Sequence, residues 1–124
     1  MEFQKDNTFV TGRLKSMKYA LMGAIKLITT EHSIMAQFSL GIVVTIAGFY
    51  FHITTTEWLF QTLAIGLVMS IEGLNTAVEK IADFIHPNYH ERIGFIKDIA
   101  AGAVFFAAMT AIAIGLIIYL PKFI

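Results

Sequence analysis

The sequence predicts an all-α membrane protein, with one amphipathic helix lying on the membrane surface and three helices crossing it. Three observations carry that reading. The chain of 124 residues is 56% hydrophobic and only 15% charged, too apolar for an ordinary soluble domain of this size. Its apolar residues gather in three stretches, Ile34 to Phe51, Trp58 to Ile71 and Ile99 to Leu120. Ahead of these lies a segment whose apolar residues recur at helical spacing while its lysines gather on another face. With no internal repeat or low-complexity segment, residues 1–124 read as one membrane-embedded domain.

The surface helix is predicted over residues 12–30. Leu14, Met17, Leu21, Ala24, Ile25 and Ile28 form its apolar face, and Lys15, Lys18 and Lys26 lie on a different one. A basic amphipathic helix of this kind rests on the inner leaflet, with lysine facing anionic lipid. The first span, 33–51, is interrupted only by Gln37, Ser39 and Thr45. The second, 58–85, has 14 uncharged residues before Glu72 and must then continue as a helix through polar sequence. Pro87 ends it after Ile85, and Asn88 to Arg92 reads as a tight turn. The third span, 93–120, holds 22 residues without a charge, enough for a hydrocarbon core that needs roughly 20 helical residues. Gly41, Gly48, Gly66 and Gly115 read as close helix contacts, and the run Ala100 to Ala103 would let the third span approach a neighbour.

Charge placement sets the orientation. Five basic residues precede the first span (Lys5, Arg13, Lys15, Lys18 and Lys26), none lies in the link from His52 to Glu57, three (Lys80, Arg92 and Lys97) lie between the second and third spans, and Lys122 follows the last. The positive-inside rule then places the amino terminus and second loop in the cytoplasm and the carboxy terminus outside, with Trp58 as an interfacial anchor. No apolar run followed by a small-residue cleavage site occurs in the first 33 residues, so the amino terminus is expected to be retained. The 9 basic and 9 acidic residues leave no net charge, which argues against a nucleic-acid partner. Without cysteine there can be no disulfide, iron–sulfur cluster or thiolate zinc site. A metal would need oxygen or imidazole ligands.

The second span carries the polar chemistry. Glu72, Asn75, Thr76, Glu79 and Asp83 follow one another at steps of three or four, so all five fall within roughly 100° of one helical face. Measured from Trp58, Glu72 lies about 21 Å along a core of about 30 Å and Glu79 about 31 Å along, so one acid is submerged and the next stands at the rim. A carboxylate held in the bilayer costs about 2.5 to 3.5 kcal/mol on insertion scales, which makes Glu72 a functional candidate. A helix-bundle hydrogen bond is its bland alternative. Lys97 and Asp98, just before the third span, can reach back toward the stripe, or they can form a solvated helix-end pair. Glu31 lies at a similar depth and reads as a helix cap or as a further carboxylate of the site.

These residue types suit phosphoryl transfer. Mg²⁺ takes one or two carboxylates together with phosphate oxygens and water, which Glu31 and Glu79 could provide. Lys97 would neutralise phosphate charge, and Glu72 could accept the proton of an attacking alcohol, with Asn75 holding the alcohol or the phosphate. The alcohol would arrive from within the bilayer. No Walker-type Gly-rich loop and no His-Arg-Asp catalytic loop occurs. His32, His52, His86 and His90 are not spaced as ligands on one helix, and Phe49, Tyr50, Phe51, Phe105 and Phe106 read as lipid-facing or packing residues.

The run from Glu72 through Asn75, Thr76 and Ala77 to Glu79, then Asp83, the Tyr89-His90-Glu91 segment, and Lys97-Asp98 with Ala100 to Val104 resemble the signature of the prokaryotic diacylglycerol kinase and undecaprenol kinase family. Arg13 to Ser16, Gly23 and Glu31 fit its amino-terminal part, so the resemblance covers essentially the whole chain. It implies a lipid kinase of the bacterial inner membrane that moves the γ-phosphoryl group of MgATP to a lipid alcohol. It also implies a homotrimer with active sites shared between subunits. Diacylglycerol, giving phosphatidic acid, is the favoured acceptor on the family name, and undecaprenol the alternative. Carried over by position, the resemblance makes Glu72 the general base and Asn75 a catalytic polar residue, with Glu72 and Thr76 toward the lipid. Glu31 and Glu79 become metal and nucleotide ligands, and Tyr19, Asn88, Tyr89, His90, Lys97 and Asp98 nucleotide contacts. Three departures stand out. Gly73 replaces a bulky aliphatic residue, Met35 and Gln37 replace an Arg and a Glu of some members, and Asn88 stands where an acid is common. Two further readings are an oligomeric cation or proton conductor lined by Glu72 and Glu79, and a catalytically silent interaction module.

Overall fold

A computed structural model describes residues 8–124; Lys5 and the rest of 1–7 lie outside the described residues. Four helices follow in order: α1 (Phe9–Thr30), α2 (His32–Tyr50), α3 (Thr55–Ile85) and α4 (Glu91–Phe123), with no strand among the described residues. Each expected helix is present, but caps move the ends. α1 begins at Phe9 rather than at residue 12, because the Thr8 side chain accepts the Thr11 N–H at 3.3 Å. α3 begins at Thr55 rather than 58 on a capping box: Thr54 accepts the Glu57 N–H at 3.2 Å while the Glu57 carboxylate accepts the Thr54 N–H at 2.9 Å. The link left between α2 and α3 reverses at His52, whose φ of 52° lies in the left-handed region. At the other end α4 starts at Glu91, with the His90 ring accepting the Arg92 N–H at 3.0 Å. The expected turn over Asn88 to Arg92 therefore gives way to a shorter loop.

α3 and α4 form the most extensive pair, α2 packs on α3, and α1 touches α2. Two of the four glycines expected at close contacts serve that role. A Cβ at Gly41 would stand 3.3 Å from Ile65 Cγ2, and one at Gly48 would stand 2.6 Å from Trp58 Cη2. Gly66 and Gly115 meet nothing within 4 Å, and neither does Gly102 in the small-residue run. The expectation of close contact fails for these within the chain: Gly66 is exposed, and Gly115 faces an open cleft between the helices.

Polarity is arranged from the inside out. Gln61, Glu72 and Thr76 are buried, whereas Leu63, Phe106 and Ile117 are each more than three-fifths exposed. Near the α2–α3 link, Gln61 Nε2 donates to the Val44 carbonyl at 3.1 Å and the Tyr119 hydroxyl donates to Gln61 Oε1 at 2.5 Å, joining α2, α3 and α4. Lys122 adds an ion pair to Glu57 at 3.3 Å. α2, with mean hydropathy 1.6 over a window of its 19 residues, and α4, with 2.4 over one of its 33, are each long and apolar enough to cross a membrane. α3 has the length, at 31 residues, but its carboxylates lower its hydropathy.

Two outcomes follow from this packing. Gly48→Ala presses a methyl group into the Trp58 ring and should destabilise by about 1 to 3 kcal/mol, read as a lower melting temperature in detergent; Gly66→Ala carries no such clash. The Glu57 carboxyl is held below its ordinary value of 4.5, chiefly by the Thr54 backbone N–H and further by Lys122, with desolvation opposing. A depressed carboxyl contributes stability above its unfolded value that is lost as pH falls through the folded one. The stability gap between the unaltered protein and Glu57→Gln should therefore be full at neutral pH and close below about pH 4 in thermal melts.

Candidate active site

Exposure along the α3 stripe is graded. Glu72 is 9% and Thr76 8% exposed, Asn75 is half-buried, and Glu79 and Asp83 are open. Within the chain the first acid of the stripe is thus enclosed and the later ones open. Glu72 is met from α2: Gln37 Nε2 donates to its Oε1 at 3.3 Å. One turn on, Asn75 Nδ2 donates to Glu79 Oε1 at 2.8 Å. That fixes the Asn75 amide with its carbonyl oxygen on the other side, where Oδ1 is buried and has no partner among the described residues. A buried acceptor left in this state is costly, so this oxygen waits for a hydroxyl or a cation.

The other helices close on the stripe. Lys97 of α4 reaches it, bonding Asp83 Oδ1 at 2.6 Å. Glu31, the single residue between α1 and α2, makes no side-chain cap bond, against one of its two expected roles; its carboxylate pairs instead with Lys80 of α3 at 3.1 Å. Leu27, in the last turn of α1, lies over Gly73, where a Cβ would stand 3.2 Å from Leu27 Cδ1. Gly73 thus makes room for α1 beside Glu72.

The α3–α4 loop brings His86 and His90 ring to ring, with centroids 5.2 Å apart, although their spacing across Pro87 gave no reason to pair them. His86 Nδ1 lies 2.6 Å from the Asn88 carbonyl and so carries the proton. His90 Nδ1 accepts from Arg92, which leaves its Nε2–H free to donate outward. Tyr89 is largely exposed and leans on Gly94. Asn88, Tyr89 and His90 therefore stand together at the loop end of the bundle, whereas Tyr19 on α1 and Asp98 on α4 are not brought into hydrogen-bond contact with the stripe.

No group of three or more His, Asp or Glu side chains forms a metal cage among the described residues. What is present suits a hard cation that keeps phosphate and water ligands: the carboxylates of Glu79 and Glu31 and the unpartnered carbonyl oxygen of Asn75. Sequence reasoning missed three contributors. Gln37 read as an interruption of the first span and a departure from the family resemblance, with no partner assigned, Lys80 only as a loop charge, and Leu27 not at all. A lone amide inside an apolar span was a signal for the first, since it must find a partner there.

The family model for prokaryotic diacylglycerol kinase matches residues 18–119 of this chain. The chain belongs to the prokaryotic diacylglycerol kinase family. An undecaprenol kinase of Bacillus subtilis is 37% identical over 108 residues, covering 87% of this chain and 88% of its own. A diacylglycerol kinase of Synechocystis is 34% identical over 109 residues, 87% of this chain and 62% of its own. A diacylglycerol kinase of Haemophilus influenzae is 31% identical over 100 residues, covering 81% and 85%. The match to the diacylglycerol kinase family takes in the stripe, Glu31, Gln37, the loop and Lys97, leaving out residues 1–17 and 120–124.

The notch at Gly73 yields a test. Gly73→Ala should be tolerated, since only the flexible tip of Leu27 must move by a few tenths of an ångström. Gly73→Leu should displace the end of α1, and amide hydrogen exchange over residues 20–30 should accelerate while α4 stays protected.

Proposed function

We propose that this protein is a lipid kinase that transfers the γ-phosphoryl group of ATP to the primary alcohol of a membrane lipid. The observation that carries this reading is Glu72, a carboxylate buried at the head of a polar stripe that opens to water at Glu79 and Asp83. Such a stripe lets an alcohol dissolved in lipid and a nucleotide dissolved in water meet on one helix.

In the reaction the Glu72 carboxylate accepts the hydroxyl proton as the alcohol oxygen bonds to the γ-phosphorus. The bond from that phosphorus to the β–γ bridging oxygen breaks, and ADP leaves with the bonding electrons. Asn75 Nδ2 keeps Glu79 in place, and its Oδ1 would add a neutral oxygen ligand to the cation beside that carboxylate. Lys97, anchored at Asp83, and the outward Nε2–H of His90 face phosphate oxygens; Tyr89 and Asn88 flank the nucleotide, with Tyr19 and Asp98 at its edge. Thr76, buried one turn from Glu72, would flank the lipid alcohol. Glu31 and Glu79 would hold Mg²⁺, whose charge would neutralise the transferring phosphoryl group.

Diacylglycerol is the acceptor the family name favours, giving phosphatidic acid. The undecaprenol kinase among the relatives favours undecaprenol as a second acceptor. In our reading α2, α3 and α4 all cross the bacterial inner membrane, with the amino terminus and the α3–α4 loop in the cytoplasm and the carboxy terminus outside. The distribution of basic residues supports that orientation. A homotrimer with shared sites is supported by the open face at Gly66 and by the thin wall that three helices make around the stripe.

The deciding assay supplies labelled ATP with diacylglycerol or undecaprenol in bicelles and separates the products; if neither lipid is phosphorylated, the proposal falls. Glu72→Gln should lower kcat by about 10² or more with little change in the KM for ATP, because a base acts in the transition state. Glu79→Gln should instead raise the MgATP requirement. Equal loss of nucleotide affinity in both variants would contradict these assignments.

A further inference from the structure

The carboxylate of Glu72 makes one side-chain hydrogen bond among the described residues, the one it accepts at Oε1 from Gln37 Nε2 at 3.3 Å. Its second oxygen, Oε2, accepts none. Asn75 Oδ1 is the only described side-chain atom of its kind that is both buried and unpartnered, so Oε2 keeps an opening from the protein interior. The two oxygens are therefore distinct: one is held and one is free.

Gln37 is well placed to enforce that distinction. It stands one turn beyond Ile34, which is 1% exposed and seats the start of α2 against the bundle. Its side chain also lines the head of an apolar cleft of about 210 Å³ between α2, α3 and α4, walled there by Gly41, Ile65, Val68 and Met69. An amide at this point has few competing partners. A neutral donor also suits a base: it orients the carboxylate without the neutralisation that a lysine or arginine would bring.

We propose that Gln37 is a positioning residue for Glu72, fixing Oε1 so that Oε2 is presented to the acceptor hydroxyl. This rests on the reading of Glu72 as the base. Nothing in the amino-acid pattern of α2 alone assigns Gln37 such a part; it follows from the rotation that turns this face of α2 toward α3.

The test uses the full chain in bicelles with ATP and either dioleoylglycerol or undecaprenol. Gln37→Met keeps the side-chain length and removes the donor, and Gln37→His restores an N–H. With Met, kcat should fall about ten- to a hundredfold, the loss that follows from one hydrogen bond to a charged group. The KM for ATP should stay within about twofold, and His should recover most of the rate. The proposal is overturned if Met leaves kcat unchanged. It is equally overturned if the loss comes with a matching rise in the KM for ATP and a lower melting temperature that His does not repair, since that is a packing defect. The unaltered protein and Glu72→Gln are assayed alongside. An inactive unaltered protein, or an active Glu72→Gln, overturns the assignment of the base and this proposal with it, whereas a fully active Gln37→Met beside an inert Glu72→Gln overturns this proposal alone.

Discussion

A carboxylate buried between two helices has to be accommodated, and Glu72 is the residue around which this bundle is arranged. Burying an unpartnered charge costs far more than one helix contact returns, so Glu72 fixes the rotation of α2, which must turn Gln37 toward α3. It also fixes which face of α3 is interior, and Asn75, Thr76, Glu79 and Asp83 follow from helical periodicity. Because the partner is an amide rather than a cation, the charge is oriented without being cancelled. A purely structural carboxylate would be better served by a lysine, and two lysines nearby are engaged elsewhere, Lys80 with Glu31 and Lys97 with Asp83.

The same logic explains the division of the bundle into two polar ends and an apolar middle. Near the α2–α3 link, Gln61, Tyr119 and the Val44 carbonyl tie three helices together, and Lys122 closes on Glu57. At the loop end the ties run through charged pairs on the stripe. Between them α2 approaches α3 through Gly41, and Gly48 does the same beside the link, where backbone meets side chain directly. Interhelical polar contacts of this kind set geometry more than they add stability, since each contributes only about 0.6 to 2 kcal/mol in an apolar phase. They specify one rotation for helices whose apolar surfaces would otherwise slide.

Much of this was legible in the sequence, and the rest was hidden for identifiable reasons. The helices were visible as apolar runs, and the stripe as a repeat of three and four, because both signals lie within one helix. Ends moved where a local side-chain bond extends a helix into residues that composition reads as a link, as Thr54 and Glu57 do before α3. What could not be read was anything that depends on how two helices face each other. Gly41 and Gly66 look alike in the sequence, yet only the first meets a neighbour. Glu31 offered a cap or a carboxylate of the site, and its pairing with Lys80 depends on where the chain turns between α1 and α2. Gln37 is the same case: a polar residue in an apolar span announces a partner but not which one.

The attachment of α1 shows why the site depends on surroundings beyond the chain. α1 buries no residue, and Leu14, Met17, Leu21 and Ile25 along it are all more than half exposed. Its polar and notch contacts with α3 are confined to its end, where Leu27 lies over Gly73 and Glu31 follows to pair with Lys80. A helix of 22 residues held at one end is not fixed by those contacts alone, since ordering each residue costs about 1 to 2 kcal/mol of backbone entropy. In the reading proposed above, the membrane surface on which a basic amphipathic helix rests would cover its apolar face. Covering that face holds the helix in place, which keeps Leu27 in the notch and Glu31 on Lys80. The wall of the site next to Glu72 is thereby completed by the same apolar phase that would deliver the alcohol.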